Sequence, residues 1–354
     1  MSGMGFRLLG RSGLRVSELA LGTMTFGTEV RWGADRAECG RMFRAYVDAG
    51  GNFIDTANIY TKGTSERIVG ALVRGDRDRF VIATKYTLML REGDPNAGGN
   101  HRKNLRRSLR GSLERLGTDH VDLLWVHAYD GMTPIEEVVR ALDDVVREGL
   151  VHYVGVSDTP AWVVSRAVTM AERMGWSQYT ALQLRYSLID RTAERELLPM
   201  ARALDLAVTP WAVLGAGMLS GKYARGARRR RGRGRLEIEP GRARGVITDR
   251  NAAIVEEVRS VATELGATPS QVALAWARAR PGNIVPILGV RTLAQARDNL
   301  GCLDVRLSAE QGARLDAASS IEPGFPGDFL ASDLVTYLTF GGTRGRIEAP
   351  RDRA

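Results

Sequence analysis

The chain has 354 residues, of which 44% are hydrophobic and 26% are charged, as is ordinary for a globular protein. Its 50 basic and 41 acidic residues give a net charge of +9, and all but four of the basic residues are arginine. Ten arginines and only three acids lie between residues 225 and 250, so the remainder is nearly neutral. A nucleic-acid-binding domain would spread its basic face over several elements, so the composition argues against that class.

The chain also lacks the marks of secreted and membrane proteins. Two cysteines, Cys39 and Cys302, cannot form a disulfide framework, and the first thirteen residues contain no long apolar region typical of a signal peptide. The longest uncharged stretch, residues 206–221, is too short and too interrupted by glycine and proline to span a membrane. We therefore expect a cytoplasmic protein without a membrane partner.

Short apolar runs alternate with amphipathic stretches along the chain. Residues 6–17 predict a β-hairpin that turns at Arg11-Ser12-Gly13. Eight apolar runs then follow that are typical of strands buried on both faces; they are residues 19–23, 52–56, 80–85, 121–127, 151–157, 181–184, 206–211 and 283–288. The intervening stretches place apolar residues three and four apart, as amphipathic helices do; they are residues 35–49, 64–74, 101–116, 134–148, 160–174, 193–204, 250–265 and 292–300. Threonine-proline pairs at 133–134, 159–160 and 268–269 are further signals of helix starts.

This alternation predicts one (β/α)₈ TIM barrel domain over residues 1–354, with the N-terminal hairpin as a plug at the amino end of the barrel. A doubly wound sheet is the alternative, because alternation alone does not show that the sheet closes. Residues 222–249 are expected to be a lid-like insertion after the seventh strand. Residues 303–354 would form a C-terminal extension with a helix at 308–319 and a flexible tail at 341–354.

Four side chains suited to proton transfer stand at the ends of three consecutive predicted strands. Asp55 ends the second strand and Tyr60 follows it, Lys85 ends the third strand, and His127 ends the fourth. The carboxyl ends of barrel strands meet at one face, so these side chains are expected to lie together. A lysine on an apolar strand needs a partner such as Asp55. The positive charge of Lys85 would lower the pKa of Tyr60 from ~10 towards neutrality.

A tyrosine of that kind can give a proton to a developing alkoxide, and a neighbouring histidine can orient the substrate oxygen. Each residue alone also has an ordinary structural interpretation. Asp55 would cap a helix, and Tyr60 would pack under a loop. Lys85 would reach the barrel rim, and His127 would be a core histidine. Their joint position at consecutive strand ends favours a pocket for carbonyl reduction.

Several motifs along the chain resemble those of one enzyme superfamily. They are NFIDTANIY, SERIVG, IATK, DLLWVH, GVSD, LQLRYSLIDR, TPWAVLGAGMLSGKY and GVRTLAQARDNL. In order and spacing, from about residue 6 to residue 320, they resemble the aldo-keto reductase superfamily, with a pattern related to its potassium-channel β-subunit-like branch. The resemblance implies a (β/α)₈ barrel and the NAD(P)H-dependent reduction of aldehydes and ketones, or the reverse reaction.

The resemblance also implies roles for the four residues. Tyr60 would protonate the substrate oxygen while hydride comes from C4 of the nicotinamide. Lys85 would lower the pKa of Tyr60, Asp55 would pair with Lys85, and His127 would orient the carbonyl. Some members of this fold act instead as regulatory subunits that sense NADP(H), and the four residues do not exclude that alternative.

The family binds its nucleotide without a G-x-G-x-x-G fingerprint, and none follows the first strand here. The resemblance implies that Ser157 and Gln183 hold the nicotinamide carboxamide and that Trp211 stacks on its ring. Arg291, at the start of a helix, would clamp the 2′-phosphate and so favour NADPH. The other implied cofactor positions are Gly22 and Thr23 near the ribose, Leu214, Gly217, Ser220 and Lys222 along the pyrophosphate, Gly289 at the helix start, and Gln295 and Asn299 at the adenine.

Two positions depart from the family pattern. Asp158 stands where the family often has asparagine, which puts the second contact to the carboxamide in question. Ala212-Val213 replaces the common serine-proline pair after Trp211, which removes a hydroxyl near the pyrophosphate. Neither change removes one of the four proton-transfer residues, so we expect cofactor binding with altered affinity.

Aromatic residues of the predicted strand–helix loops and the C-terminal extension are candidates for the substrate pocket. They are Phe26, Trp32, Tyr86, Tyr129, Phe325 and Phe329. Each alone would more simply pack under a loop, but the set favours an apolar or aromatic carbonyl compound. No metal ion is expected, and homo-oligomer formation is left open.

The arginine-rich segment has three interpretations. It is a solvated lid insertion, a flap whose charge attracts the anionic cofactor, or a nucleic-acid site. Its run of four arginines, residues 228–231, has no nearby aromatic side chain on which bases could stack. We therefore expect no nucleic-acid partner.

Overall fold

A computed structural model describes residues 3–223 and 245–348. The strands are β1 (Phe6–Leu8), β2 (Arg15–Ser17), β3 (Ala20–Gly22), β4 (Phe53–Asp55), β5 (Val81–Tyr86), β6 (Val121–Val126), β7 (Val151–Ser157), β8 (Tyr179–Arg185), β9 (Ala207–Trp211) and β10 (Ile287–Gly289). The α-helices are α1 (Arg36–Asp48), α2 (Thr64–Val73), α3 (Arg102–Leu116), α4 (Ile135–Arg147), α5 (Ala161–Met174), α6 (Leu197–Ala203), α7 (Asp249–Leu265), α8 (Pro269–Arg278), α9 (Leu293–Leu300), α10 (Ala309–Ala318), α11 (Gly327–Ala331) and α12 (Asp333–Phe340).

Strands β3 to β10 form one parallel sheet in the order β10-β3-β4-β5-β6-β7-β8-β9. Its two edges are joined by hydrogen bonds, since Val208 N donates to Asn283 O at 2.7 Å and Val285 N donates to Val208 O at 2.8 Å. A sheet whose edges join is a barrel, so the predicted (β/α)₈ fold is confirmed and the open doubly wound sheet is excluded. The eighth strand begins at Ile287, later than predicted, because Pro286 has no amide hydrogen for the ladder.

The N-terminal hairpin closes one end of this barrel, as predicted. Strands β1 and β2 pair antiparallel, with Arg7 opposite Val16. Val16 and Leu9 are fully buried and belong to the same apolar cluster as Phe53 and Trp125, which point into the barrel. The hairpin therefore excludes water from the amino end of the barrel, and the opposite end is left for the strand–helix loops.

Helix α8 was not predicted from periodicity, although its start signal was visible. The side chain of Thr268 accepts from Gln271 N, the side chain of Gln271 accepts from Thr268 N, and Pro269 occupies the first turn. The threonine-proline pairs at 133–134 and 159–160 mark helix starts, as predicted, but the threonines do not cap these helices. There the proline itself occupies the N-cap, and no side chain caps the helix.

The C-terminal extension contains the expected helix, α10, and two unexpected short helices, α11 and α12. Their apolar side chains are strongly exposed, with Leu334 at 66% and Leu338 at 70%. The lid and tail predicted at 222–249 and 341–354 fall partly on residues 224–244 and 349–354, which lie outside the described residues. Across 3–223 and 245–348, no helix is both long and apolar enough to cross a bilayer.

Candidate active site

The carboxyl ends of β4, β5 and β6 bring the four predicted proton-transfer residues together. Asp55 is the last residue of β4, and Lys85 lies near the end of β5. His127 follows β6, and Tyr60 begins a single 3₁₀ turn, Tyr60–Gly63, after β4. The Tyr60 and His127 rings meet edge to face, with centroids 6.0 Å apart. The geometry confirms the clustering that was expected from the strand order.

Lys85 is the centre of this cluster and is fully buried. Its Nζ lies 2.5 Å from Asp55 Oδ2, 2.8 Å from the carbonyl oxygen of Thr56 and 3.1 Å from the Tyr60 hydroxyl. Gln183 Nε2 donates to the second Asp55 oxygen at 3.0 Å. The ammonium therefore has three oxygen partners, which compensate for its removal from water. The alternative that Lys85 reaches the barrel rim is wrong.

The pKa of Tyr60 was expected to be lowered, but its surroundings raise it overall. Burial raises the pKa of the Tyr60 phenol, and the Lys85 ammonium lowers it, but the Asp55 carboxylate cancels part of the lysine's effect. Burial also opposes the charge on Lys85, yet Asp55 and Tyr60 raise its pKa overall. Tyr60 is therefore held as a neutral phenol beside a charged lysine, and a phenol in that state can donate a proton.

His127 is a neutral imidazole in this environment. Burial, aided by the nearby Lys85 charge, lowers its pKa to about 3. Its Nδ1 is buried and has no hydrogen-bond partner among the described residues. A neutral imidazole beside Tyr60 can orient an uncharged oxygen by hydrogen bonding without competing as an acid.

Two predicted carboxamide ligands, Ser157 and Gln183, lie side by side where β7 pairs with β8. Gln183 uses its amide nitrogen to hold Asp55, a contact that sequence reasoning did not anticipate. The Ser157 hydroxyl is buried, and within residues 3–223 and 245–348 it interacts with the Asp158 carboxyl but makes no hydrogen bond of standard geometry. A buried hydroxyl without a well-formed hydrogen bond is costly, so this position suits a bound amide.

Asp158 has a role that the family pattern did not show. Its Oδ1 accepts a hydrogen bond from Trp211 Nε1 at 3.2 Å, which fixes the edge of that half-exposed ring. The Asp158 backbone is left-handed, with φ of 42°, a conformation that Asp and Asn tolerate better than most residues. Surrounding protein partly desolvates the carboxyl and raises its pKa.

The loop after β9 brings three predicted pyrophosphate residues together. The hydroxyl of Ser220 donates to Gly217 O at 2.7 Å, and a Cβ added at Gly217 would lie 2.4 Å from Lys222 Nζ. With φ of 90°, Gly217 has a left-handed backbone conformation that favours glycine, and the flexible end of the Lys222 side chain lies against it. Leu214 precedes this turn and is half-buried.

The start of α9 carries the predicted phosphate and adenine residues. Arg291 N donates to Gln295 Oε1 at 2.9 Å, and Thr292 caps the helix. Arg291 Nε is buried, and within the described part of the chain it has no partner. Gly289 is the last residue of β10. The Asn299 side chain, near the end of α9, is only 3% exposed. The arginine is therefore available to an anion, and Gln295 is partly used to hold the helix start.

Gly22 and Thr23 serve the fold. A Cβ at Gly22 would lie 2.6 Å from Ile287 Cγ2, so glycine is needed where β3 meets β10. Thr23 is fully buried, and its hydroxyl donates to the Asp55 carbonyl oxygen at 3.0 Å. The Thr23 hydroxyl therefore supports Asp55, and the expected position of Thr23 near the ribose stays a prediction.

The candidate substrate residues divide into buried and exposed groups. Phe26 and Tyr86 are fully buried in the core, so their assignment to an open pocket wall is wrong. Neighbouring strand residues point to opposite faces, and Tyr86 points towards the helices because Lys85 points inward. Trp32 and Tyr129 are half-buried. Phe325 and Phe329 are 85% and 56% exposed, and their rings lie 6.3 Å apart.

Asn58 was missed by sequence reasoning. It lies in the NFIDTANIY motif, two residues before Tyr60, and its side chain is fully buried. Neither its amide nitrogen nor its amide oxygen has a partner in the described ranges. Its place inside the motif was the available signal.

Comparison with known proteins agrees with this architecture. The family model described as the aldo/keto reductase family matches residues 18–320. Norsolorinic acid reductase of Aspergillus flavus is 36% identical over 335 residues, covering 92% of this chain and 83% of that protein. The aldo-keto reductase ausK of Emericella nidulans is 36% identical, covering 91% and 83% respectively. An aryl-alcohol dehydrogenase of Pestalotiopsis microspora is 34% identical, covering 98% and 87%.

Proposed function

The chain belongs to the aldo/keto reductase family, and from that premise we propose that it is a cytoplasmic NADPH-dependent enzyme. Its reaction would reduce an aldehyde or ketone on an aromatic or apolar molecule to the alcohol. The observation that carries the proposal is the 3.1 Å contact between Lys85 Nζ and the Tyr60 hydroxyl, with Asp55 2.5 Å behind the lysine. Both cysteines are free and buried, as suits a reducing compartment.

The proton chemistry follows from these contacts. The Tyr60 hydroxyl passes its proton to the substrate carbonyl oxygen, and the fixed Lys85 charge stabilises the phenolate that remains. Asp55 holds the ammonium in place through its 2.5 Å contact. Neutral His127 orients the carbonyl oxygen beside Tyr60. When bound, the reduced nicotinamide supplies the hydride.

Features of this chain fit an anionic dinucleotide. The buried Ser157 hydroxyl would bind the carboxamide, and Trp211, held at its edge by Asp158, would pack against the nicotinamide ring. Lys222 beside Gly217 would neutralise the pyrophosphate, and Arg291 would bind the 2′-phosphate. The name of one relative, aryl-alcohol dehydrogenase, refers to an aromatic alcohol and supports an aromatic substrate for this chain.

The direct test is NADPH oxidation by the purified protein with a panel of sugars, aliphatic aldehydes, aromatic aldehydes and aromatic ketones. We expect turnover with the aromatic and other apolar carbonyl compounds of this panel to exceed turnover with the sugars. A protein that bound NADPH tightly but turned over none of the panel would be the NADP(H)-sensing subunit instead. Turnover confined to sugars would contradict the proposed substrate class.

Replacing Arg291 with alanine tests the cofactor preference. We expect the dissociation constant for NADPH to rise about tenfold or more, because a charge-assisted hydrogen bond to phosphate contributes about 1.5–3 kcal/mol. Binding of NADH should change far less, since it has no 2′-phosphate. Quenching of tryptophan fluorescence measures both constants. Arg297→Ala, on the exposed face of the same helix, is the matched control. Equal losses for both nucleotides would refute the 2′-phosphate role.

Asp158 permits a second cofactor test. Asp158→Asn keeps an oxygen that can accept from Trp211 Nε1 but removes a negative charge near the proposed cofactor site. We expect the variant to bind NADPH about threefold tighter, an effect of less than 1.4 kcal/mol. Asp158→Ala loses the tryptophan contact as well and should bind more weakly than Asp158→Asn. Indistinguishable affinities of the two variants would show that the Trp211 contact has no role in binding.

A further inference from the structure

A cluster of possible metal ligands lies far from the proton-transfer residues, near the amino ends of β6 and β7. It consists of His120, Asp122 and His152, and one ligand atom of each lies within 4.8 Å of the others. His127, after the carboxyl end of β6, is five residues beyond Asp122, or about 16 Å along an extended strand. The cluster is therefore separate from the proposed active site. Two of the four histidines in the chain are in it.

The strand register explains why these side chains meet. His120 and Asp122 are two residues apart at the start of β6, so their side chains lie on the same face of the sheet. Val121 pairs with Val151, and Leu123 pairs with Tyr153, which places Asp122 next to His152 on the neighbouring strand. Three donors on one sheet face thus result from the backbone pairing itself.

The donor atoms lie near the spacing of metal ligands. His152 Nδ1 lies 3.7 Å from Asp122 Oδ1, and the two imidazole rings are stacked with centroids 4.4 Å apart. Zinc–ligand bonds of about 2.1 Å place tetrahedral ligands roughly 3.4 Å apart, close to the distance between His152 Nδ1 and Asp122 Oδ1. The stacked imidazole rings would turn out of their parallel arrangement to face one ion. His120 and Asp122 are mostly buried, at 22% and 13% exposure, while His152 is 48% exposed and open to entering ions.

Neighbouring groups prepare two of the ligands. Asp119 Oδ1 lies 2.7 Å from His120 Nδ1, a carboxylate–imidazole contact that fixes the tautomer and leaves the Nε2 lone pair free. Asp122 Oδ2 accepts from Arg77 Nη2 and from Ile82 N, both at 2.8 Å. These contacts hold the carboxylate rigidly through one oxygen, and the other oxygen, Oδ1, faces His152.

We propose that His120, Asp122 and His152 bind one Zn²⁺ ion at the amino end of the barrel, with water in the fourth position. Two imidazoles and one carboxylate suit borderline divalent transition metals, whereas Mg²⁺ and Ca²⁺ prefer oxygen ligands alone. The ion would tie β6 to β7 where those strands begin. It would stabilise the barrel without taking part in the reaction at the opposite end.

Isothermal titration of the full chain with ZnCl₂, after chelator treatment and removal of any histidine tag, tests the site. We expect one ion per chain, a higher melting temperature with Zn²⁺, and no comparable effect of Mg²⁺. No heat of binding and no change in melting temperature would overturn the proposal.

Substitutions locate the ion. His152→Ala removes a half-exposed ligand and should weaken Zn²⁺ binding at least about tenfold. Asp122→Asn should weaken it too, but this side chain also holds Arg77 and Ile82, so His152→Ala is the primary variant. The matched control is His101→Asn, since Asn can retain the N-cap of α3. Equal Zn²⁺ affinity of His152→Ala and the unsubstituted protein would refute the site.

NADPH-dependent turnover should survive His152→Ala, so the zinc proposal and the proposed function fail independently.

Discussion

Replacing Tyr60 with phenylalanine is expected to lower the rate of carbonyl reduction by about 10²-fold or more, the scale of a general acid's contribution. The change removes one oxygen atom and leaves the ring beside His127. Lys85 loses its 3.1 Å contact but keeps Asp55 and the Thr56 carbonyl, so the folded structure should persist. Steady-state oxidation of NADPH with an aromatic aldehyde measures the effect.

Two controls separate chemistry from folding. Tyr337→Phe makes the same chemical change at a side chain that is 65% exposed on α12, and it should leave turnover unchanged. NADPH binding to Tyr60→Phe should stay within about threefold of the unsubstituted protein, because the proton donor contributes mainly in the transition state. A Tyr60→Phe rate close to that of the unsubstituted protein would remove Tyr60 from the mechanism.

The pH profile provides a second measurement of the same residue. Because burial outweighs Lys85 and raises the pKa of Tyr60, the phenol keeps its proton at neutral pH. The reduction rate should therefore be level around neutral pH and fall on the alkaline side, where the acid is lost. The residual rate of Tyr60→Phe should lack this alkaline decline. An alkaline decline that persisted unchanged in Tyr60→Phe would assign the proton donation to another group.

The meeting of Asp55, Lys85 and His127 was predictable because it depends only on strand order. Residues at the carboxyl ends of consecutive parallel strands must be neighbours, and alternation of strand faces sends Lys85 inward. The same alternation sends Tyr86 outward, so its burial could also have been predicted. Closure of the barrel could not be predicted from the sequence. It depends on the hydrogen bonds of Asn283 and Val285 to Val208 in β9, which is more than 70 residues earlier in the chain.

The electrostatic balance at Tyr60 was not predictable from residue types. Its direction depends on how deeply the phenol is buried and on how closely Asp55 compensates Lys85, and both are properties of packing. The contact between Asp158 and Trp211 joins residues 53 positions apart at the ends of two strands. A change from asparagine to aspartate could be seen in the sequence, but its effect on the tryptophan ring could not.

Replacing Lys85 with methionine is expected to lower both stability and activity. Lys85 and Asp55 are 0% and 3% exposed, so removing the lysine leaves a buried carboxylate with no cation beside it. Breaking a buried ion pair in this way costs about 3–5 kcal/mol of unfolding free energy. Turnover should fall at least about 10²-fold, because the phenolate formed at Tyr60 loses the ammonium that stabilises it. Urea unfolding and NADPH oxidation measure the two effects separately.

The double variant Lys85→Met with Asp55→Asn separates the two roles of the lysine. A neutral amide in place of Asp55 no longer needs a cation, and its oxygen can still accept from Gln183 Nε2, as the carboxylate oxygen does at 3.0 Å. Most of the lost unfolding free energy should therefore return, because the stability loss comes from one uncompensated charge. Turnover should remain as low as in the single variant, since no charge faces Tyr60. If the double variant were as unstable as Lys85→Met, lost packing rather than charge would explain the instability. If it regained turnover, the phenolate would not depend on Lys85.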